Sequence, residues 1–219
     1  MNLKLSICIL THNRPILFKR CINSILNNLP TYNIEILVNN DSNDIQEIFS
    51  DKINIKYFYK KNNDLSKIYK LLFDKSSGDF IYFLEDDDYL HNIFFNYIDF
   101  KFDINYFLYT SKDHIAHYGI SQAINLQNLN KHLLKETSFN KFITHYDDTY
   151  FQLSQILFRK NIVSKFPKGN NIKNDYKLFK SCKNSTIKYI DKQLWVQTTD
   201  GKDNISFDNL NKDKRFNPI

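Results

Sequence analysis

"FLEDDDYL", residues 83–90, places four consecutive acids, Glu85 to Asp88, directly behind an apolar run. Carboxylates this close repel one another unless a cation or a set of donors stands among them. The cluster is therefore either a binding element or a solvated loop, and its surroundings decide between the two. "DFIYFL" (79–84) reads as a strand buried in a sheet, short, apolar and rich in aromatic and β-branched residues. The same order of strand, polar loop and helix recurs upstream. "LKLSICIL" (3–10) is followed by "THNR" (11–14) and by a helical pattern with Ile16, Leu17, Cys21, Ile25 and Leu26 on one face behind Pro15. "NIEILV" (33–38) leads through "NNDSND" (39–44) to "IQEIFS" (45–50), and "INIKYFY" (53–59) leads through "KKNND" (60–64) to "LSKIYKLLFDK" (65–75). The fourth unit closes with "YLHNIFFNYI" (89–98), read as a helix that Asp88 could cap. Four such units predict an α/β fold with a doubly wound, mostly parallel, Rossmann-like sheet and right-handed crossovers.

In such sheets ligands bind outside the carboxyl ends of the strands. "THNR", "NNDSND" and "EDDD" all fall there, so their convergence predicts one polar pocket. Neither a GxGxxG fingerprint nor a GxxxxGK[ST] loop is present. A diphosphate ligand would therefore be met by an acid-bound divalent cation. A calcium loop is the competing metal reading, but the acids do not alternate and no glycine stands at its sixth position. The bland reading of "NNDSND" is an Asx-turn with Asp44 and Glu47 as a capping pair.

A chain of 219 residues, 42% hydrophobic and 16% aromatic, can bury one substantial core with a small appended part. Its net charge of +6 is unevenly spread: residues 1–110 carry 12 basic and 14 acidic side chains, residues 111–219 carry 18 and 10. Between Arg159 and Lys192 ten Lys/Arg face two acids, a field suited to an anionic partner or simply to a soluble face. The opening apolar run is too short for a signal-peptide core and no later stretch approaches a membrane span, so a cytoplasmic protein is expected. Cys8, Cys21 and Cys182 lack metal-ligand spacing and are expected to be reduced, without disulfide or zinc. His114 and His117 have no identifiable third ligand, and Trp195 reads as a buried residue or a stacking platform.

"SICILTHNRPILFKRCINSIL", "ILVNNDSND" and "SSGDFIYFLEDDDYL" together resemble the opening segments of glycosyltransferase family 2 proteins of GT-A fold, in order and spacing, over residues 3–90. The resemblance implies an inverting glycosyltransferase, hexosyl or pentosyl, that takes a sugar from a nucleotide diphosphate. It implies a nucleotide-sugar-binding half at 1–110 and an acceptor-binding, base-carrying half at 111–219 of one domain. It makes Asp87 the carboxylate for Mn or Mg, sets Asp86 toward the ribose, and leaves Glu85 as a longer acid in the motif's first position. Donor contacts fall on Thr11, His12, Asn13, Arg14, Asn39, Asn40, Asp41 and Lys67.

Asn39 and Asn40 replace the family's acids, so the uracil-reading carboxylate is missing and an amide could read another base. In the second half, "TYFQLSQILFRKNIVSKF" resembles the apolar segment ahead of the catalytic helix. "GNNIKNDYKLFKSC" resembles that helix's start, with Asn174 for the family's Glu. The resemblance makes Asp175 the general base; the bland alternative is an N-cap of "YKLFKSC". The segment after Trp195 resembles a closing loop, Thr198 to Ser206. The resemblance implies a growing glycan as acceptor, lipid-linked or capsular ones included, while the basic stretch around Asp175 suggests an anionic acceptor, either a phosphorylated glycan or DNA with hydroxymethylated bases. The non-enzyme alternative is a nucleotide-sugar or nucleic-acid binding module on a degenerate transferase scaffold.

Overall fold

The computed structural model describes residues 3–42, 47–61, 64–107, 153–168, 174–182, 184–190, 192 and 194–196, without the side chains of 174–176. The strands are β1 (Lys4–Thr11), β2 (Asn33–Asn40), β3 (Asn54–Phe58), β4 (Phe80–Glu85), β5 (Tyr89–Leu90), β6 (Ile104–Phe107), β7 (Ile156–Arg159), β8 (Ile187–Ile190) and β9 (Trp195–Val196). The helices are α1 (Pro15–Leu26), α2 (Leu65–Lys75) and α3 (Asn174–Lys180).

Seven strands form one sheet in the order β3-β2-β1-β4-β7-β6-β8. β1 pairs parallel with β2 and β4, and β2 pairs parallel with β3, which is the doubly wound arrangement the repeated units predict. The second half extends the sheet through β7, antiparallel to both β4 and β6, and through β8, parallel to β6. The mostly parallel α/β expectation therefore holds. β5 and β9 form a separate antiparallel pair.

Alternating side chains divide the core into two layers. Leu5, Ile7 and Ile9 of β1 and Phe80, Tyr82 and Leu84 of β4 meet α1 on one face. Cys8, Ile81 and Phe83 meet Leu72 of α2 and Leu178 and Phe179 of α3 on the other. Burial on both faces explains why these strands read as near-continuous apolar runs. Cys8, Cys21 and Cys182 are free, buried thiols; burial pushes all three well up from the ordinary thiol range, so they pack as small hydrophobes.

Three local expectations are corrected. The face of α1 that is buried consists of Phe18, Cys21, Ile22 and Ile25, while Ile16 in the first turn is 81% exposed. "YLHNIFFNYI" is not a helix: Tyr89 and Leu90 pair with β9, His91 N–H donates to Leu194 O (2.9 Å), and only Phe94–Asn96 makes a 3₁₀ turn. Phe94 and Phe95 are both buried, and the Phe94 ring packs against Tyr82 and Phe107. Of "IQEIFS", the described residues 47–50 form no helix; Tyr57 Oη instead accepts from Ile48 N–H (2.8 Å), tying the segment to β3.

The sheet's amino end carries its own polar centre. Glu35, fully buried on β2, accepts from Ser6 Oγ (2.7 Å), Ser77 N–H (2.6 Å) and Ser77 Oγ (2.8 Å), and from Lys4 (3.1 Å) and Lys56 (3.0 Å). Burial alone would raise this carboxyl, but the donors outweigh it and bring it down to about 2. Beside it, Gly78 N–H donates to Ser6 Oγ (2.8 Å), and a Cβ on Gly78 would lie 2.6 Å from Ser6 N.

Candidate active site

The register sets three of the predicted clusters level at the carboxyl end of the sheet. Leu10 of β1 faces Asn39 on one side and Glu85 on the other, Thr11 faces Asn40, and Asp41 N–H donates to Thr11 O (3.3 Å). Thr11, His12, Asn13, Arg14, Asn39, Asn40, Asp41, Glu85, Asp86 and Asp87 are thereby brought to one rim. Asn13, at φ 51°, turns the chain out of β1, and Pro15 starts α1 one residue after Arg14.

Three of the four acids are buried: Asp86, Asp87 and Asp88; Glu85 is exposed. Arg14 Nη1 lies 3.0 Å from Asp86 Oδ1 and 2.9 Å from Asp87 Oδ2, so one nitrogen bridges two neighbouring carboxylates. His12 N–H also donates to Asp86 Oδ2 (3.4 Å). Burial pushes the Asp86 carboxyl up to about 6, against the pull of Arg14, and Asp87 beside it pushes the same way. Asp86 and Asp87 are thus a buried pair that holds a positive charge. Asp88 N–H donates to Glu85 O (3.1 Å), closing a turn where the sequence reading expected a helix to cap.

Helix α1 holds this turn in place through residues that motif reading passed over. Arg20 Nη2 donates to Asp87 O (2.5 Å) while its guanidinium stands 5.1 Å from the Tyr89 ring centroid. Cys21 Sγ donates to Glu85 O (3.6 Å), and Ser24 Oγ accepts from Leu90 N–H (3.0 Å). The only sequence signal was spacing: 20, 21 and 24 share one helix face.

On β2, Asn39 and Lys60 exchange two bonds, Nδ2 to Lys60 O and Lys60 N–H to Oδ1, both 3.2 Å. Asn40 Oδ1 accepts from Ser42 N–H and Oγ, each 2.9 Å, which is an Asx-turn. Next to them His12 Nδ1 donates to Asp41 Oδ1 (2.5 Å) and Asn13 Nδ2 donates to His12 Nε2 (3.1 Å). The ring is exposed. Lys67 stands in the first turn of α2, largely exposed and 3.9 Å from Asp64, whose side chain caps the helix by accepting from Ser66 N–H (3.1 Å).

Asp175 is the second residue of α3, one position inside the helix rather than its N-cap, and its side chain lies outside the described residues. His114, His117 and Thr198 to Ser206 also lie outside them. Trp195 is buried in β9 and belongs to the core.

Among the described residues no three His, Cys, Asp or Glu side chains are grouped as a protein-only metal cage. The buried Asp86 and Asp87 do suit a small oxygen-seeking cation that completes its shell from phosphates and water. That Arg14 spans them shows the pair accommodating a shared positive charge.

A sheet of this order with a carboxylate turn at its carboxyl end is the GT-A architecture. The family model for glycosyl transferase family 2 matches residues 6–163, and the chain belongs to that family. Among curated proteins it is similar to the GalNAc(5)-diNAcBac-PP-undecaprenol beta-1,3-glucosyltransferase of Campylobacter jejuni, 36% identical over 97 residues that make up 40% of this chain and 30% of that one. Among solved structures it resembles TarS 1–349 of S. aureus in complex with UDP-GlcNAc (TM-score 0.64, 18% identity, 93% of this chain and 61% of that one). It also resembles a mannosyltransferase of Pyrobaculum calidifontis in complex with GDP-Man and Mn²⁺ (TM-score 0.63, 8% identity, 93% and 59%). The chain thus spans under a third of that curated relative and about 60% of these structures. Among the described residues no helix is long and apolar enough to cross a membrane.

Proposed function

We propose that the chain is an inverting glycosyltransferase that moves a sugar from a nucleotide diphosphate to an acceptor hydroxyl. The observation that carries this reading is the pair of buried carboxylates, Asp86 and Asp87, spanned by Arg14 at the rim where β1, β2 and β4 end. The complexes of similar structures with UDP-GlcNAc and GDP-Man support a sugar-nucleotide donor. A divalent cation, Mn or Mg, held by Asp87 would offset the charge that grows on the departing diphosphate.

The chain's own groups do the rest. Asp86 faces the ribose, and Arg20, Cys21 and Ser24 keep the carboxylate turn in position. Thr11, His12, Asn13, Arg14, Asp41 and Lys67 surround the donor. Asp175 takes the proton from the acceptor hydroxyl as its oxygen bonds to the anomeric carbon, whose bond to the diphosphate oxygen breaks on the opposite side. Residues 1–110 hold the donor and residues 111–219 the acceptor and the base.

We infer an anionic acceptor from the lysine-rich stretch around Asp175, either a phosphate-bearing glycan or hydroxymethylated DNA. The curated relative's name, with its diphosphate-linked glycan, supports the first. Binding to DNA would weaken steeply with salt and to a neutral glycan hardly at all. A binding module without catalysis is the second reading, favoured by Asn39 and Asn40, whose side chains are engaged within β2 and its neighbours.

The test is a donor-hydrolysis screen: the protein, a panel of nucleotide sugars and Mn or Mg, with released nucleotide detected and Asp87→Ala as control. Release from one donor, lost with chelator and in the variant, supports the transferase. No release from any donor, with glycan and hydroxymethylated DNA acceptors present, leaves the binding module.

A further inference from the structure

A cation held by Asp87 would meet Arg14 there, whose Nη1 lies 2.9 Å from Asp87 Oδ2 and 3.0 Å from Asp86 Oδ1. The bridge joins two separate parts of the rim, the β1–α1 loop and the end of β4. Arg14's main chain is fixed, its carbonyl accepting from Phe18 N–H (2.9 Å) in the first turn of α1, so only its side chain can move. A guanidinium and a divalent ion on the same carboxylate repel strongly in a site so little exposed, so each weakens the other's hold on Asp87.

We propose that Arg14 is a resident counter-charge that a divalent cation must displace to reach Asp87, and that the displaced guanidinium then binds the donor's diphosphate. This rests on the transferase reading of the same site. A guanidinium leaving a carboxylate pair needs another anion, and a diphosphate at the strand ends supplies one with matching geometry. Cation and nucleotide therefore bind with mutual reinforcement, and the coupling acts equally in both directions. Without nucleotide, Arg14 holds Asp86 and Asp87 and keeps the cation out.

The experiment measures manganese binding by the ion's paramagnetic resonance, with no donor and no turnover. In the absence of nucleotide, Arg14→Gln should bind manganese roughly tenfold or more tightly than the unaltered chain, since a competing charge is gone. Adding UDP or GDP should tighten manganese binding to the unaltered chain by a larger factor than to the variant, and Asp87→Ala should bind poorly throughout. Manganese affinity in Arg14→Gln equal to or below that of the unaltered chain overturns the proposal. A second readout avoids substitution: the Arg14 side-chain nitrogen resonance should move when magnesium and UDP or GDP are added together, and a resonance that stays in place overturns the proposal equally. If the unaltered chain binds manganese with nucleotide but Arg14 fails these tests, the inference falls and the transferase reading stands. If no protein binds manganese under any condition, the inference falls, and the transferase reading is decided by nucleotide release.

Discussion

The two ends of the parallel sheet both bury carboxylates, and they treat them oppositely. At the amino end Glu35 has five donors converging on two oxygens and its carboxyl is brought down to about 2. At the carboxyl end Asp86, Asp87 and Asp88 crowd together, one guanidinium nitrogen serves two of them, and Asp86 is pushed up to about 6. At the amino end the donors outweigh the cost of burial, and at Asp86 burial outweighs the pull of Arg14. On the proposed function, the amino end is framework and the carboxyl end is the donor site.

This contrast can be broken by substitution. Asp87→Ala should lower nucleotide release by about a hundredfold or more while the melting temperature changes little, because the lost group acts on the departing diphosphate. A large loss of stability with activity retained would erase the distinction. Glu35→Ala should do the reverse: about 3 kcal/mol of stability lost, read by urea unfolding, since two lysines and two serines are left facing an empty acceptor.

The pH dependence follows from the same group. Because the folded carboxyl lies below its ordinary value, its contribution is complete above about 4.5, amounts to about 3 kcal/mol there, and is lost as pH falls toward 2. Unfolding curves should show that decline in the unaltered chain and not in Glu35→Gln. Gly78→Ala, forcing a methyl against Ser6, should cost about 1–3 kcal/mol without altering manganese affinity. Lys67→Ala should change stability by about 0.5 kcal/mol or less, because the exposed pair with Asp64 is screened by water. A strong fall in donor affinity in that variant would instead extend the site onto α2.

Much of the first half was legible because strand and helix periods differ and the loops between them are polar. β1, β2, β3, β4, α1 and α2 all lie where the runs of residues 3–85 place them. The misreadings have a common origin. "YLHNIFFNYI" carries apolar residues at spacings that suit a helix, yet Phe94 and Phe95 are needed in the core and β9, more than 100 residues away, claims Tyr89 and Leu90. Ile16 satisfies the helical pattern but sits at the rim beyond the reach of the sheet. Periodicity reports which residues could be buried together, not which partner arrives to bury them.

By itself the sequence determined the parallel α/β order and the grouping of "THNR", "NNDSND" and "EDDD" at strand ends, because both follow from local pattern and chain direction, and its motifs carried the resemblance to the family. Only the tertiary structure decided that Arg14 spans Asp86 and Asp87, that Arg20, Cys21 and Ser24 hold the acid turn, and that Asn39 is bonded to Lys60. The physical reason is that the charge and hydrogen-bond state of a buried side chain depends on neighbours far away along the chain, and those are set by register and packing.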